Sequence, residues 1–372
     1  MIESLEKEMM ARALNLAARA RGRTSPNPMV GAVIFKEGRV VGEGYHRRCG
    51  LSHAERAALR QAGSEARGAV LAVNLEPCSH YGRMPPCVEA IIEAGVARVV
   101  VAMLDPNPLV RGRGIYSLRR AGIEVEVGVL GDKARLLNEV FIHHITTGRP
   151  FAALKLAQSL DGGIALRSGV QTPISSSPAL ALKHILRSWH DAVMVGISTV
   201  EADDPLLNVR GRQVSRQPWR VVLDSSLRIS AESKLVESAG EFPTLVLYDP
   251  ALASDKRIEA LRRRSVELVP IKAAGEGFLS PESVLDALAS HDITSVLIEG
   301  GRRVATSFLA RRLIQRLHLF IAPVLMGGGK ALHALGEIGA SEEEGSLRLE
   351  KVERKFMGAD IYLTGRIAYP GR

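Results

Sequence analysis

A two-domain α/β protein is what the sequence predicts, on three observations. Its 372 residues, 46% hydrophobic, exceed what a single core usually serves. Short apolar strands alternate with amphipathic, helix-length segments through most of the chain. The cysteines Cys49, Cys78 and Cys87 all fall in the first half, so the halves are expected to carry different chemistry.

Residues 3–21 place Leu5, Met9, Ala13, Leu16 and Ala20 at helical spacing. Met29–Phe35 and Arg39–Tyr45 flank a Lys-Glu-Gly turn and read as a β-hairpin. A helix follows from near Ser52 to Gly63, then a strand at Val70–Leu75 and a helix at Pro86–Ala94. Next come a strand at Arg98–Met103, a helix ending before Gly122, a strand at Glu124–Val127 and a helix at Asp132–Phe141. This is the pattern of an α/β sandwich. The short polar stretch His144–Pro150 marks the boundary, giving domains 1–147 and 148–372.

After the boundary a new pattern begins. Strands are expected at Phe151–Ala157, Ala192–Gly196, Arg220–Asp224, Thr244–Tyr248, Ser295–Glu299 and Leu317–Ala322. Helices are expected at Ala179–Ser188, Asp255–Arg264, Pro281–Ser290 and Arg302–Ala310. No internal repeat relates this second α/β domain to the first.

The net charge of +9 divides into +5 up to Thr147 and +4 beyond it, with no basic tail. Nucleic-acid binders concentrate charge on one stripe, and 4% aromatics leave few stacking platforms. An evenly basic enzyme with phosphate-bearing ligands fits better. No apolar run approaches the ~18 residues of a membrane span, and acids stand where a signal peptide has none, so a cytoplasmic protein is expected.

Residue types in the first half point to zinc. His53-Ala54-Glu55 is followed by Pro77-Cys78 and then by Cys87. A water-activating zinc takes three protein ligands and keeps a fourth position open, and one imidazole with two thiolates supplies that set. Helix starts favour thiolate over thiol. A carboxylate outside the ligand set, Glu55, can carry protons between water and a ring nitrogen. A lone His or Cys is more often a core residue, but these four residues in this order at strand-to-helix junctions are not. Zinc nucleobase deaminases carry H-x-E followed by P-C-x-x-C. Here eight residues, not two, separate Cys78 from Cys87.

The longer spacing narrows the group. Ser25-Pro-Asn-Pro-Met-Val-Gly31, Gly42-Glu-Gly-Tyr-His46, His53-Ala-Glu55, the stretch Leu75–Cys87 and Asp105–Gly114 closely resemble the bifunctional riboflavin-biosynthesis deaminase/reductases. Lys155-Leu-Ala-Gln-Ser-Leu-Asp-Gly162, Thr199–Pro205 and Ile298-Glu-Gly-Gly301 extend the resemblance over nearly the full length. It implies a cytidine-deaminase-like α/β/α sandwich followed by a dihydrofolate-reductase-like α/β domain. It also implies zinc on His53, Cys78 and Cys87, with Glu55 as the catalytic proton carrier. The implied substrate is a diaminopyrimidinone with a ribosylamino 5-phosphate, whose ribosyl group is then reduced to ribityl with NADPH. Cys49 matches no ligand position and is read as structural.

By the same resemblance, Ala157, Pro173, Thr199, Asp203, Ser225 and the turn opening at Gly301 match NADPH-contacting positions. Gln171, Arg187, Leu207, Arg210 and Glu299 match substrate positions. Arginine suits a phosphate because its planar fork makes two parallel charge-assisted hydrogen bonds. Asp203, in Ala-Asp-Asp-Pro, also fits a turn or capping role. One stretch departs from the family pattern Ser-Gly-Glu-Ser-x-Trp-Ile-Thr, reading Ser168-Gly-Val-Gln-Thr-Pro-Ile-Ser175. Gln171 replaces a Ser, and Pro173 replaces a Trp that packs on the cofactor, a loss of about 1–2 kcal/mol of contact. Gly112-Arg-Gly114 and Gly327-Gly-Gly-Lys330 are neither a dinucleotide fingerprint nor a P-loop.

A homo-oligomer acting on this small molecule, with no nucleic-acid or membrane partner, is the expectation. Two other readings compete with it. One is an RNA-editing zinc deaminase with an appended domain; the other makes the second domain purely structural. Spacing, scarce aromatics and diffuse charge count against the first, and NADPH titration discriminates the second.

Overall fold

The computed structural model describes residues 2–81, 85–108, 110–170, 172–271, 277–339 and 345–370. Two compact units divide it, Met1–Gly148 and Arg149–Arg372.

The first unit contains α1 (Ile2–Ala18), β1 (Gly31–Lys36), β2 (Arg39–Tyr45), α2 (Ala54–Ala62), β3 (Val70–Val73), α3 (Cys87–Glu93), β4 (Arg98–Val101), α4 (Arg113–Arg120), β5 (Glu124–Val127), α5 (Gly131–Leu137) and α6 (Glu139–Thr147). Its five strands lie in the order β2-β1-β3-β4-β5, antiparallel from β2 to β3 and parallel from β3 to β5. Alternation along β1 sends Ala32 and Ile34 to one face, where Ala54 and Ala58 of α2, Ile91 of α3 and Leu118 of α4 cover them. Val33 and Phe35 point to the other face, under Met10 and Ala13 of α1 and Ala134 of α5. Helices on both faces make the expected α/β/α sandwich.

Small residues let these layers approach closely. A Cβ on Gly31 would lie 2.1 Å from Ala13 O and 2.8 Å from Ala17 N on α1. Gly31→Ala is therefore expected to push α1 off the sheet and cost about 1–3 kcal/mol. A lowered urea midpoint for this unit, followed by far-UV circular dichroism, checks it; an unchanged midpoint contradicts it.

The helix expected at Asp132–Phe141 is in fact two helices. The Asn138 side chain accepts the Met29 N–H at 2.8 Å and donates to Met29 O at 3.0 Å, so this residue leaves helical geometry to hold the strand entrance. The polar stretch read as a boundary is helical through Thr147; the Thr146 and Thr147 hydroxyls satisfy themselves on carbonyls of the preceding turn, and Gly148 ends the helix at φ 72°.

The second unit contains β6 (Phe151–Ser159), β7 (Gly163–Ala165), α7 (Ser177–Trp189), β8 (Ala192–Gly196), α8 (Ile197–Asp203), β9 (Trp219–Leu223), α9 (Lys234–Glu237), β10 (Thr244–Tyr248), α10 (Asp255–Arg262), β11 (Glu267–Pro270), α11 (Pro281–Ser290), β12 (Ser295–Ile298), α12 (Arg302–Ala310), β13 (Arg316–Ala322), β14 (Leu332–His333), β15 (Arg348–Met357) and β16 (Asp360–Ala368). Nine strands form one sheet, β11-β10-β9-β8-β12-β6-β13-β16-β15, while β7 and β14 pair separately. The sheet is parallel from β11 to β13, and β16 and β15 add antiparallel at one edge. Met194 faces α11 and α12, while its neighbours Val193 and Val195 face α8 and α9. Parallel strands buried on both faces explain why these segments read as unbroken apolar runs.

Candidate functional site

In the first unit, two helix starts bring the zinc set together. His53 caps α2 with extended backbone, Glu55 is the second residue of that helix, and Cys87 opens α3. Cys78 lies in the loop after β3, tied to α3 by the Val88 N–H on Cys78 O at 3.2 Å and the Cys87 N–H on Cys78 Sγ at 3.3 Å. Arg56 clamps the same loop by donating to Pro85 O and Pro86 O at 3.1 and 3.2 Å.

His53 Nδ1 stands 3.3 Å from Cys87 Sγ and 3.5 Å from Cys78 Sγ. A tetrahedral zinc with Zn–S about 2.3 Å and Zn–N about 2.0–2.1 Å sets such N···S edges near ~3.5 Å. The triangle thus has the donor atoms and the dimensions of a zinc site. Among the described residues it is the one group of three or more such side chains with metal-binding proximity. A hydrogen bond from Cys87, aided by His53, pulls the Cys78 thiol down to about 4, and the same bond with burial pushes Cys87 upward. Cys78 is thus the thiol of the pair that ionises more readily, and a divalent cation would favour the thiolate of both. Glu55 is buried, and burial followed by the Cys78 charge raises its carboxyl to about 7. A carboxyl poised there can both take and return a proton at neutral pH. Cys49, expected to be structural, is exposed and takes no part.

Sequence reasoning assigned no role to the groups around this triangle. Asn27 Nδ2 meets His46 Nε2 at 3.2 Å, and His46 stands edge-on to His53 with ring centres 5.7 Å apart. Glu76 is buried and accepts four backbone N–H groups, from Asp105 and Gly112 on one oxygen and Gly114 and Ile115 on the other, at 2.9 to 3.3 Å. It moulds the Asp105–Gly114 loop. The motifs that carried the resemblance contain Asn27, His46 and Glu76, and that was the available signal.

In the second unit, several of the singled-out positions lie at or just beyond the carboxyl ends of neighbouring parallel strands, where open α/β sheets bind ligands. Ala157 lies near the end of β6, Thr199 on α8 after β8, Ser225 just after β9, and Glu299 to Gly301 just after β12. A Cβ on Gly301 would lie 3.5 Å from Thr199 Oγ1. Gly301 caps α12 with no side-chain hydrogen bond, so the first backbone N–H groups of that helix have no partner from the cap. Asp203 ends α8, and Pro173 is exposed. Gln171 lies outside the described residues.

Arg187, matched to a substrate position, has its fork engaged by another residue matched to the substrate. Its Nε and Nη2 grip the two oxygens of Glu299 at 2.7 and 2.8 Å, and Nη1 donates to Asn208 O at 2.9 Å. Both side chains are buried, at 5% and 8% exposure. Burial alone would raise Glu299, but Arg187, with Lys155 and Lys183, overrides it and holds the carboxyl at about 2. Arg210 by contrast is exposed, and Leu207 is buried with φ +53°. Two cations escaped the sequence reading. Lys155, on β6 and 5.4 Å from the Phe320 ring centre, is lowered by burial and by Arg187. Lys183, on α7, is lowered to about 8 by burial and by Arg187.

Fold and site together define a zinc-dependent deaminase-type unit joined to a second, open-sheet α/β unit. The cytidine and deoxycytidylate deaminase zinc-binding region matches residues 3–103, and the RibD C-terminal domain matches residues 150–363. A riboflavin biosynthesis protein RibD of Aquifex aeolicus is 43% identical over 98% of this chain and 99% of its own length. That of Escherichia coli is 42% identical over 86% and 88%. RibD of Acinetobacter baumannii superposes with a TM-score of 0.87 at 37% identity, covering 98% of this chain and 99% of that one. A Thermotoga maritima diaminohydroxyphosphoribosylaminopyrimidine deaminase/5-amino-6-(5-phosphoribosylamino)uracil reductase does so at 0.84 and 33%, covering 99% and 100%. The chain belongs to the RibD family. It is an enzyme with both deaminase and reductase activities of riboflavin biosynthesis, using zinc and NADPH. The RNA-editing alternative is not favoured, because the relatives match through both units.

Proposed function

We propose that the first unit hydrolyses the amine from 2,5-diamino-6-(5-phosphoribosylamino)pyrimidin-4(3H)-one, and that the second reduces the ribosyl group of the product to ribityl. The observation that carries this reading is the His53–Cys78–Cys87 triangle with buried Glu55 beside it. Zinc on those three ligands supplies Lewis-acid activation of water. Glu55 would take a proton from the attacking water and pass it to the ring nitrogen, then take the second proton from the hydroxyl left on the ring carbon and give it to the departing amine, which leaves as ammonia as the carbonyl forms.

In the second unit, Ala157, Pro173, Thr199, Asp203, Ser225 and Gly301 line the NADPH side. Leu207, Arg210 and Glu299 serve the substrate side, with Arg187 holding Glu299 ionised; Gln171 is assigned to the substrate by its matching position alone and lies outside the described residues. NADPH supplies the hydride. Division of labour follows residues 1–147 and 148–372. Among the described residues no helix is long and apolar enough to cross a membrane. A cytoplasmic homo-oligomer with no nucleic-acid partner completes the reading; the evenly spread charge supports the last part alone, and light scattering of the purified enzyme tests the assembly.

Metal analysis with stepwise turnover tests the whole reading. Ammonia release should need zinc but not NADPH, and NADPH oxidation should need the deaminated product. Ammonia release from a metal-free sample contradicts it. Arg210→Ala is expected to raise KM for the phosphoribosyl substrate about 10–100-fold, the worth of a charge-assisted phosphate contact, with a smaller change in NADPH affinity. Equal weakening of both, read by NADPH oxidation and NADPH fluorescence titration, contradicts the assignment.

A further inference from the structure

The segment from Leu206 to Arg210 has irregular backbone, and side chains from elsewhere in the unit hold it at Leu206, Asn208, Val209 and Arg210. Arg220 Nη1 donates to Leu206 O at 3.3 Å, and Arg187 Nη1 donates to Asn208 O at 2.9 Å. The Gln217 amide closes on Val209, accepting its N–H at 2.8 Å and donating to its O at 3.1 Å. The Arg210 N–H donates to His184 Nδ1 at 3.2 Å. His184 is thus the last hold before the Arg210 side chain turns out to solvent. It sits on α7 between Lys183 and Arg187, the side of the helix that serves Glu299.

We propose that His184 is a positioning residue of the reductase: its Nδ1 fixes the Arg210 backbone and so aims that guanidinium at the anionic end of the substrate. The proposal rests on the reading of Arg210 given above.

The role requires an unprotonated Nδ1, since a protonated ring has two donors and no acceptor. The surroundings secure that. Burial first, and then Arg187, Lys183 and Arg210, push the imidazole down to about 4 against the opposing pull of Glu299. The ring is therefore neutral in the working range, and the Arg210 N–H on Nδ1 selects the tautomer that keeps its proton on Nε2. Asparagine carries an acceptor oxygen close to where the Nδ1 lies, whereas leucine and alanine carry none.

The test uses the full-length zinc enzyme, with NADPH oxidation on the deaminated substrate. His184→Ala and His184→Leu are expected to raise substrate KM about 5–10-fold, with kcat and NADPH affinity within about twofold. His184→Asn should recover most of the loss, and deamination should be unchanged in all three. In an Arg210→Ala background, His184→Ala should add little, because both act through one contact. Unchanged KM in His184→Ala, a parallel fall in NADPH affinity, no rescue by Asn, or additive losses would each overturn the proposal while Arg210 keeps its role. Should Arg210→Ala itself leave substrate KM unchanged, the reading of Arg210 fails, and the role of His184 with it.

Discussion

Glu55→Gln is expected to keep zinc and lose deamination, by at least about 10²–10⁴-fold. The substitution preserves shape but removes the group that accepts and returns the proton. His53, Cys78 and Cys87 are untouched, so metal content should stay at the parent level. Removing a carboxyl that burial holds near neutrality also relieves a desolvation cost, so the variant should fold at least as well as the parent. Ammonia assay and metal analysis on one sample read both quantities. NADPH oxidation on pre-deaminated substrate should be unaffected. Ammonia release at the parent rate would remove Glu55 from the mechanism.

Glu299→Gln is expected to be the most damaging single change in the second unit. It leaves the Arg187 guanidinium buried without its counter-charge, and breaking such a pair from one side costs about 3–5 kcal/mol. Arg187→Met with Glu299→Leu should recover much of that stability, without activity, because both desolvation costs vanish together. The pair also sets a pH dependence. Glu299 is depressed from 4.5 to about 2, so its contribution is complete above pH 4.5 and fades as pH falls towards 2. Both tryptophans, Trp189 and Trp219, lie in this unit, so their fluorescence in urea follows its unfolding. A Glu299→Gln midpoint equal to the parent's at pH 7 would show that the pair contributes no stability.

Much of this was legible in local sequence. Strands such as Ala192–Gly196, Thr244–Tyr248 and Glu124–Val127 were read with the bounds they have, because each is an apolar or alternating run between turn residues. The zinc set was legible because only a few residue types ligate zinc and they stand at recognisable junctions. The edge hairpin of β15 and β16 was missed. Its strand Arg348–Met357 is exposed along almost its whole length, so no burial alternation marks it, and only pairing with β16 makes it a strand. The break at Asn138 was missed because a helix-compatible sequence is overridden by hydrogen bonds to Met29.

By itself the sequence determined the residue types of the metal site and the apolar strands that frame the two units, while the order of the two chemistries came through the family motifs. Those are properties of short stretches, where periodicity and ligand chemistry act between neighbours. Only tertiary structure decided that Arg187 grips Glu299, 112 positions away, that Lys155 and Lys183 join them, and that His184 reaches the Arg210 backbone. A charge leaves no mark in sequence of the partner it will meet. That choice is made when parallel strands set their carboxyl ends side by side and burial forces each ion to find a counter-charge.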